Sequence, residues 1–269
     1  MKVMIHEYQY HLIFYNDDLL CLYMNSSFDK LSTGLHRIVI EQRKNKSCLG
    51  VDIPYWCYIS ELVKFDRKKV NEFLLNLEKE IIHKYPAGND GKVNLKDSLT
   101  ARYQHYNFLT LRSALLSEVQ KHIKKTIKGC IDSFNQGGRK IPMNDLWIIC
   151  WYNVLRKGEK IDKHNHVPIS QLEQSFLSGH FTLEADSTYT HYMSVCETDR
   201  WRIKNIPGQI VMFPSYCPHY SDITTAEIPR ISVAFDVYDH RGLANPEFIK
   251  KENCIPLKFE DTVTKEIAI

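Results

Sequence analysis

Residues 201–238 read WRIKNIPGQIVMFPSYCPHYSDITTAEIPRISVAFDVY. Four short apolar runs lie in this stretch: Trp201–Ile206, Gln209–Phe213, His219–Ile223 and Arg230–Val237. Pro207-Gly208, Pro214-Ser215 and Ile228-Pro229 separate them. Proline presets φ for the first position of a turn and glycine accepts a positive φ at the second, so Pro207-Gly208 is a turn on backbone grounds. Runs of this length between such turns read as strands.

The pattern continues upstream. Leu146–Leu155, Lys160–His166, Phe176–Leu183 and His191–Val195 are four more runs, broken at Lys157-Gly158, Val167-Pro168 and Asp186-Ser187, and Thr198-Asp199 joins the two sets. Eight short strands in fewer than 100 residues predict two facing antiparallel sheets, a jelly roll or double-stranded β-helix. The fold class is therefore mainly β with flanking helices. The jelly-roll core spans 145–240, an N-terminal α/β region spans 1–144, and a tail over 241–269 packs on the core.

Within the N-terminal region, Leu12–Tyr15, Leu19–Tyr23 and His36–Glu41 read as strands. Asp66 is the N-cap of a helix whose stripe is Val70, Phe73, Leu74, Leu77 and Ile81, ended by Pro86 and Gly88. Asn89–Leu99 is polar and reads as a loop. A second helix runs from about Thr110 to Lys128, with Leu111, Leu115, Val119, Ile123 and Ile127 on one stripe and Gly129 as its stop. Lys121, Lys124, Lys125 and Lys128 form a solvated face near its C-terminus, where cations suit the helix dipole.

Composition sets outer bounds. The chain has 269 residues, 43% hydrophobic and 25% charged, which excludes a disordered, collagen-like or coiled-coil chain. A net charge of +3 gives no footprint for a nucleic-acid partner. No apolar run approaches the roughly 18 residues needed to span a membrane. The opening MKVMIHEYQYHLIF is interrupted by His6, Glu7, Gln9 and His11, so no signal peptide is expected. None of the eight cysteines forms a C-x-x-C pair, and several sit in apolar runs. Reduced thiols and a cytoplasmic location are expected.

Twelve histidines stand out. Six precede residue 164 with no shared spacing, and six lie between 164 and 240. His164 and His166 are two apart on one strand, so they share a face. His219 opens the seventh strand. Arg230 and Ser232 open the eighth and again share a face. An H-x-H pair alone is common by chance. His180 is equally a pocket residue or a core histidine. His191 and His240 read as surface or loop residues, and Trp151 and Tyr152 as packing. There is no G-x-S-x-G elbow and no G-x-x-x-x-G-K-[ST] loop.

The order of these pieces resembles the 2-oxoglutarate/iron(II)-dependent oxygenases, in particular a compact bacterial and phage branch. The matching segments are Trp151-Tyr152-Asn153, His164-Asn165-His166, Ser178-Gly179, Pro207 through Ser215, His219 and Arg230-Ile231-Ser232. They cover about a third of the chain. The resemblance implies an oxidoreductase that binds Fe(II), 2-oxoglutarate and O2. It would oxidise an unactivated C–H bond of a small-molecule, amino-acid-like or peptide substrate, releasing succinate and CO2. It implies His164 and His219 as iron ligands. Arg230, helped by Ser232, would bind the far carboxylate of 2-oxoglutarate, with Asn153 beside it. The family's carboxylate ligand falls on His166, a departure. Either His166 completes a three-histidine site, or the third ligand comes from elsewhere.

Two other readings stay open. A cupin-like three-histidine metal enzyme that does without 2-oxoglutarate explains the histidines but leaves Arg230 and Ser232 idle. A jelly-roll binding module without catalysis predicts no bound iron. The first ~140 residues carry no motif, and they are where a substrate lid is expected.

Overall fold

The structure is a computed structural model that describes residues 2–5, 8–11, 33–36, 55–85, 98–138, 140–167, 177–195, 200–239 and 253–259. The strands expected over Leu12–Tyr15 and Leu19–Tyr23, most of His36–Glu41, the stop at Pro86-Gly88, most of the loop before Leu99 and His240 lie outside the described residues.

In chain order the elements are β1 (Lys2–Ile5), β2 (Tyr8–His11), β3 (Gly34–His36), β4 (Cys57–Ile59), α1 (Arg67–Lys84) and α2 (Ser117–Gln136). There follow β5 (Leu146–Leu155), β6 (Leu177–Glu184), β7 (Tyr189–Met193) and β8 (Arg200–Lys204). The last four are β9 (Ile210–Phe213), β10 (His219–Ser221), β11 (Arg230–Asp239) and β12 (Ile255–Pro256). β1 and β2 pair as a hairpin. The large sheet has the order β12-β5-β11-β6-β9-β4-β3, and the small sheet β10-β7-β8. Every pairing is antiparallel. The chain passes back and forth between the two sheets, which is the expected jelly roll.

β5 and β11 pair over ten residues and are buried along nearly their whole length. Helices cover one face of the large sheet and the small sheet covers the other. That is why LWIICWYNVL is an unbroken apolar run rather than an alternating one. The outer core joins Val70, Leu74 and Ile81 of α1 and Val119, Ile123 and Ile127 of α2 to Ile148, Phe181 and Val233 of the sheet. Burying each such side chain contributes roughly 1.5–3 kcal/mol. A second core between the sheets packs Tyr55, Tyr192, Trp201 and Phe213.

Of the eight strands expected in the core, seven form. The segment 160–166 makes no regular strand, only a single bridge between His164 and His219. Ile161 pairs with Ser221 through backbone and Oγ contacts, and His164 pairs with His219. Three steps on one side thus face two on the other, a bulge that breaks the ladder.

α1 is capped as expected, Asp66 Oδ1 accepting from the Lys69 N–H at 3.2 Å. Its buried stripe also contains Glu78, which accepts two hydrogen bonds from the Arg156 guanidinium at 3.0 and 2.7 Å. The second helix differs from its expected bounds. A short 3-10 turn over Ala114–Leu116, capped by the Ser113 hydroxyl, precedes it, so Leu111 lies outside the helix and Leu115 is exposed. Gly129 does not stop it. The helix continues through Cys130, Ile131 and Phe134, all buried, to Gly137. Gly129 instead makes room for Tyr58, whose hydroxyl lies 3.0 Å from where a Cβ would stand.

The Pro207-Gly208 turn forms as expected, with Gly208 at φ +93°. Its backbone bridges two elements: Gly208 N–H donates to Thr182 O and Gly208 O accepts from Val63 N–H. Cys57, Cys130, Cys150, Cys217 and Cys254 are buried free thiols, and burial pushes that of Cys57 up to about 12. Among the described residues, no helix is long and apolar enough to cross a membrane.

Candidate metal centre

β10 and the bulged segment beside it bring three histidines together. His164 and His219 are cross-strand partners, with ring centroids 4.3 Å apart. The His166 ring stacks on that of His219 at 5.1 Å and 2°. One ring nitrogen from each lies within 4.8 Å of the others. The three candidate ligands thus meet at one point, His166 included.

Hydrogen bonding fixes what these rings present. His164 Nδ1 lies 2.8 Å from Asp162 O, His219 Nδ1 lies 3.0 Å from Cys217 O, and His166 Nδ1 lies 2.7 Å from Asp236 Oδ2. Carbonyl and carboxylate oxygens accept, so each Nδ1 carries the proton and donates. In the neutral form of such a ring the lone pair is on Nε2. Burial, and then the neighbouring His164 and His166, hold the pKa of His219 well below the usual histidine value, which keeps its ring neutral. The Nε2 atoms of His166 and His219 face each other at 3.3 Å. Two lone pairs at that distance repel, and a cation between them removes the repulsion. Three imidazole nitrogens suit a divalent first-row metal such as iron, nickel, copper or zinc. The nearby Cys217 thiol points elsewhere, to Met193 O.

The other expected residues line the same pocket. Ser232 and Asn153 are register partners on β11 and β5. Arg230, Ser232, Ala234, Asp236 and Tyr238 alternate along β11 and all face the pocket, as do Ile149, Trp151 and Asn153 along β5. Trp151, expected to be a packing residue, is therefore part of the pocket wall.

Arg230 is 3% exposed. Its Nη2 reaches two neutral oxygens, Thr190 Oγ1 at 3.2 Å and Asn205 Oδ1 at 3.5 Å, while Nε and Nη1 have no partner. Burial pulls its pKa down to about 10, against the opposing effects of Tyr192 and Asp222. A buried cation with two orphaned donors costs several kcal/mol unless an anion meets it. An arginine fork matches a carboxylate. His180 also lines the pocket. Its Nε2 bonds the Tyr192 hydroxyl at 2.8 Å, its Nδ1 has no partner, and burial followed by Arg230 lowers its pKa to about 3. It is a neutral ring at working pH. His191, expected at the surface or in a loop, lies on β7, bonded to Asp222 and stacked on Tyr220.

Some wall residues carried no sequence motif. Thr100 and Tyr103 enter from a 3-10 turn over Leu99–His105, and the Thr100 hydroxyl donates to Asn153 Oδ1 at 2.8 Å. Nothing in their spacing marks them. Asp236 does leave a trace, a lone carboxylate inside the apolar run SVAFDVY. Acidic residues are almost never fully buried without a partner. The pocket encloses about 320 Å³.

No family model and no curated protein sequence matches the chain. Solved structures do resemble it. They include a prolyl-4-hydroxylase from Pseudomonas putida, 13% identical over 49% of this chain and 73% of that one, with a TM-score of 0.38. Another is the non-heme alpha ketoglutarate dependent epimerase SnoN from nogalamycin biosynthesis, at 10%, 68%, 76% and 0.43. A third is a prolyl hydroxylase from Trichoplax adhaerens in complex with a hypoxia inducible factor peptide fragment, at 14%, 83%, 93% and 0.38. All three are similar at low identity.

Proposed function

We propose that this chain is an Fe(II)- and 2-oxoglutarate-dependent oxygenase, oxidising an unactivated C–H bond of a small-molecule, amino-acid-like or peptide substrate with release of succinate and CO2. One observation carries the proposal. A cluster of three metal-ready imidazoles shares a pocket with a buried arginine that has two unpaired donors. A metal alone satisfies the histidines and leaves Arg230 orphaned. A dicarboxylate that reaches from the metal to Arg230 satisfies both.

His164, His166 and His219 would hold iron, which supplies the activation of O2. Arg230 would fix the far carboxylate of 2-oxoglutarate by a charge-assisted fork, and Ser232, on the same face of β11, would add a hydroxyl. Asn153 is held in place by Thr100 and presents its amide to the same space. Ile149, Trp151, Tyr103 and Tyr238 make the wall largely apolar, which limits water at the reacting centre. A cavity of about 320 Å³ is at the small end of ligand sites, roughly 300–1,000 Å³. Shared with the co-substrate, it admits only the reacting part of a substrate. The N-terminal region, through Thr100 and Tyr103, would contact that part and act as the lid.

The test is succinate formation from 2-oxoglutarate with Fe(II), with and without Arg230→Ala. Turnover in the wild type that is lost in the variant supports the proposal. Oxygen uptake that is indifferent to 2-oxoglutarate would instead favour the three-histidine enzyme without that co-substrate.

A further inference from the structure

Behind the histidine cluster lies a buried polar chain that the proposed reaction does not use. Asp236 is 5% exposed, and Ser178 and Ser215 are fully buried. Asp236 Oδ2 accepts from His166 Nδ1–H at 2.7 Å, and Asp236 Oδ1 accepts from the Ser178 hydroxyl at 2.5 Å. Ser178 Oγ is 2.8 Å from Ser215 Oγ. A hydroxyl has one proton to donate, and Ser178 points its own at Asp236, so in the Ser178–Ser215 contact the Ser215 hydroxyl donates. Ser215 also holds the chain at the histidine itself, because its carbonyl accepts from the backbone N–H of His166 at 3.0 Å.

This chain closes on His166 from both sides, ring and backbone. It is built from three elements: Asp236 on β11, Ser178 opposite it on β6, and Ser215 in the turn after β9. The other two histidines differ, since their Nδ1 atoms meet neutral carbonyls. A hydrogen bond to a carboxylate is about twice as strong as one to a neutral acceptor. It fixes the tautomer and raises the basicity of the ligating nitrogen.

We propose that Asp236 is a positioning residue: it holds His166 as the Nδ1–H tautomer, aims its Nε2 at the metal, and supplies the negative charge that a three-imidazole site lacks. The proposal rests on the metal site argued above. It means that the H-x-H segment does not stand in for a missing carboxylate by itself. The carboxylate sits one residue further from the metal, seventy positions later in the chain.

Co(II) binding to the purified protein, followed by its visible d–d absorption, tests this without turnover. Asp236→Asn keeps the size and loses the charge, and it is expected to bind Co(II) 10- to 100-fold more weakly with an altered band shape. Asp236→Ala loses the acceptor as well. In that variant, ¹⁵N NMR of histidine-labelled, metal-free protein is expected to show mixed tautomers for His166, where the wild type shows one. Should Asp236→Ala not fold, Asp236→Asn carries the test alone. Wild-type Co(II) affinity and spectrum in Asp236→Asn, with only the melting temperature lowered, would overturn the proposal and leave Asp236 a core hydrogen bond. A wild type that binds no Co(II) would overturn the metal site, and this inference with it.

Discussion

His164 and His219 hold each other by their backbones: His164 N–H donates to His219 O at 3.0 Å, and His219 N–H donates to His164 O at 2.9 Å. The bridge places both rings on one side of the small sheet. The backbone bridge thus sets the spacing of the two rings.

Removing a ring should leave that framework intact. His164→Ala and His219→Ala are expected to fold, with metal-free melting temperatures near that of the wild type. The wild type should gain stability with metal, about 2.7 kcal/mol at a hundredfold excess over Kd, or roughly 5–10 °C for a protein of this size. Both variants should lose that gain. Differential scanning fluorimetry with and without Fe(II) or Mn(II) reads it.

Arg230 is held at a cost until an anion reaches it. Replacing a buried, incompletely paired charge with an apolar side chain of similar volume is often neutral or stabilising. Arg230→Met is therefore expected to match or exceed the wild type in metal-free thermal stability. It should also weaken 2-oxoglutarate binding by at least a hundredfold, as the loss of two charge-assisted hydrogen bonds at about 1.5–3 kcal/mol each implies. Melting curves and isothermal titration together test both halves.

His180 gives a pH signature. Its pKa falls from 6.5 to about 3 on folding, so the unfolded chain binds a proton that the folded chain refuses. Stability from this residue is complete above about pH 6.5 and is lost as pH falls towards 3, by about 1.4 kcal/mol per pH unit. In His180→Gln that slope should disappear. Urea unfolding midpoints of the two proteins between pH 6.5 and 4.5 should converge as the pH drops. Parallel lines would show that His180 does not carry it.

Gly208 cannot be replaced cheaply. At φ +93° an L side chain is strained, and its Cβ would stand 2.6 Å from Val63 O, a backbone atom that the turn itself ties down. Gly208→Ala is expected to lose about 1–3 kcal/mol or more. The urea midpoint should fall without a change in m-value.

The jelly roll was legible because its strands are short, apolar and punctuated by Pro and Gly. The i, i+2 rule likewise put Arg230 with Ser232 and His164 with His166. What escaped had long-range causes. The bulge at His164 depends on how two segments align, not on either alone. α2 runs through Gly129 because the buried residues after it favour the helix and Tyr58 needs the space. Glu78 is buried in α1 only because Arg156, just past the end of β5, pairs with it, and no local pattern marks that. Asp236 is explained only by His166, seventy positions away in the chain, which bonds it. Thr100 and Tyr103 reach the pocket from a region with no motif at all.

Whether the histidine cluster and Arg230 act as one site is read by an anaerobic titration of the Fe(II)-loaded protein with 2-oxoglutarate. A visible charge-transfer band is expected to saturate at one 2-oxoglutarate per chain, to be absent without iron and to be strongly weakened in Arg230→Met. A wild type that holds one iron per chain and shows no spectral change or binding on adding 2-oxoglutarate would contradict it.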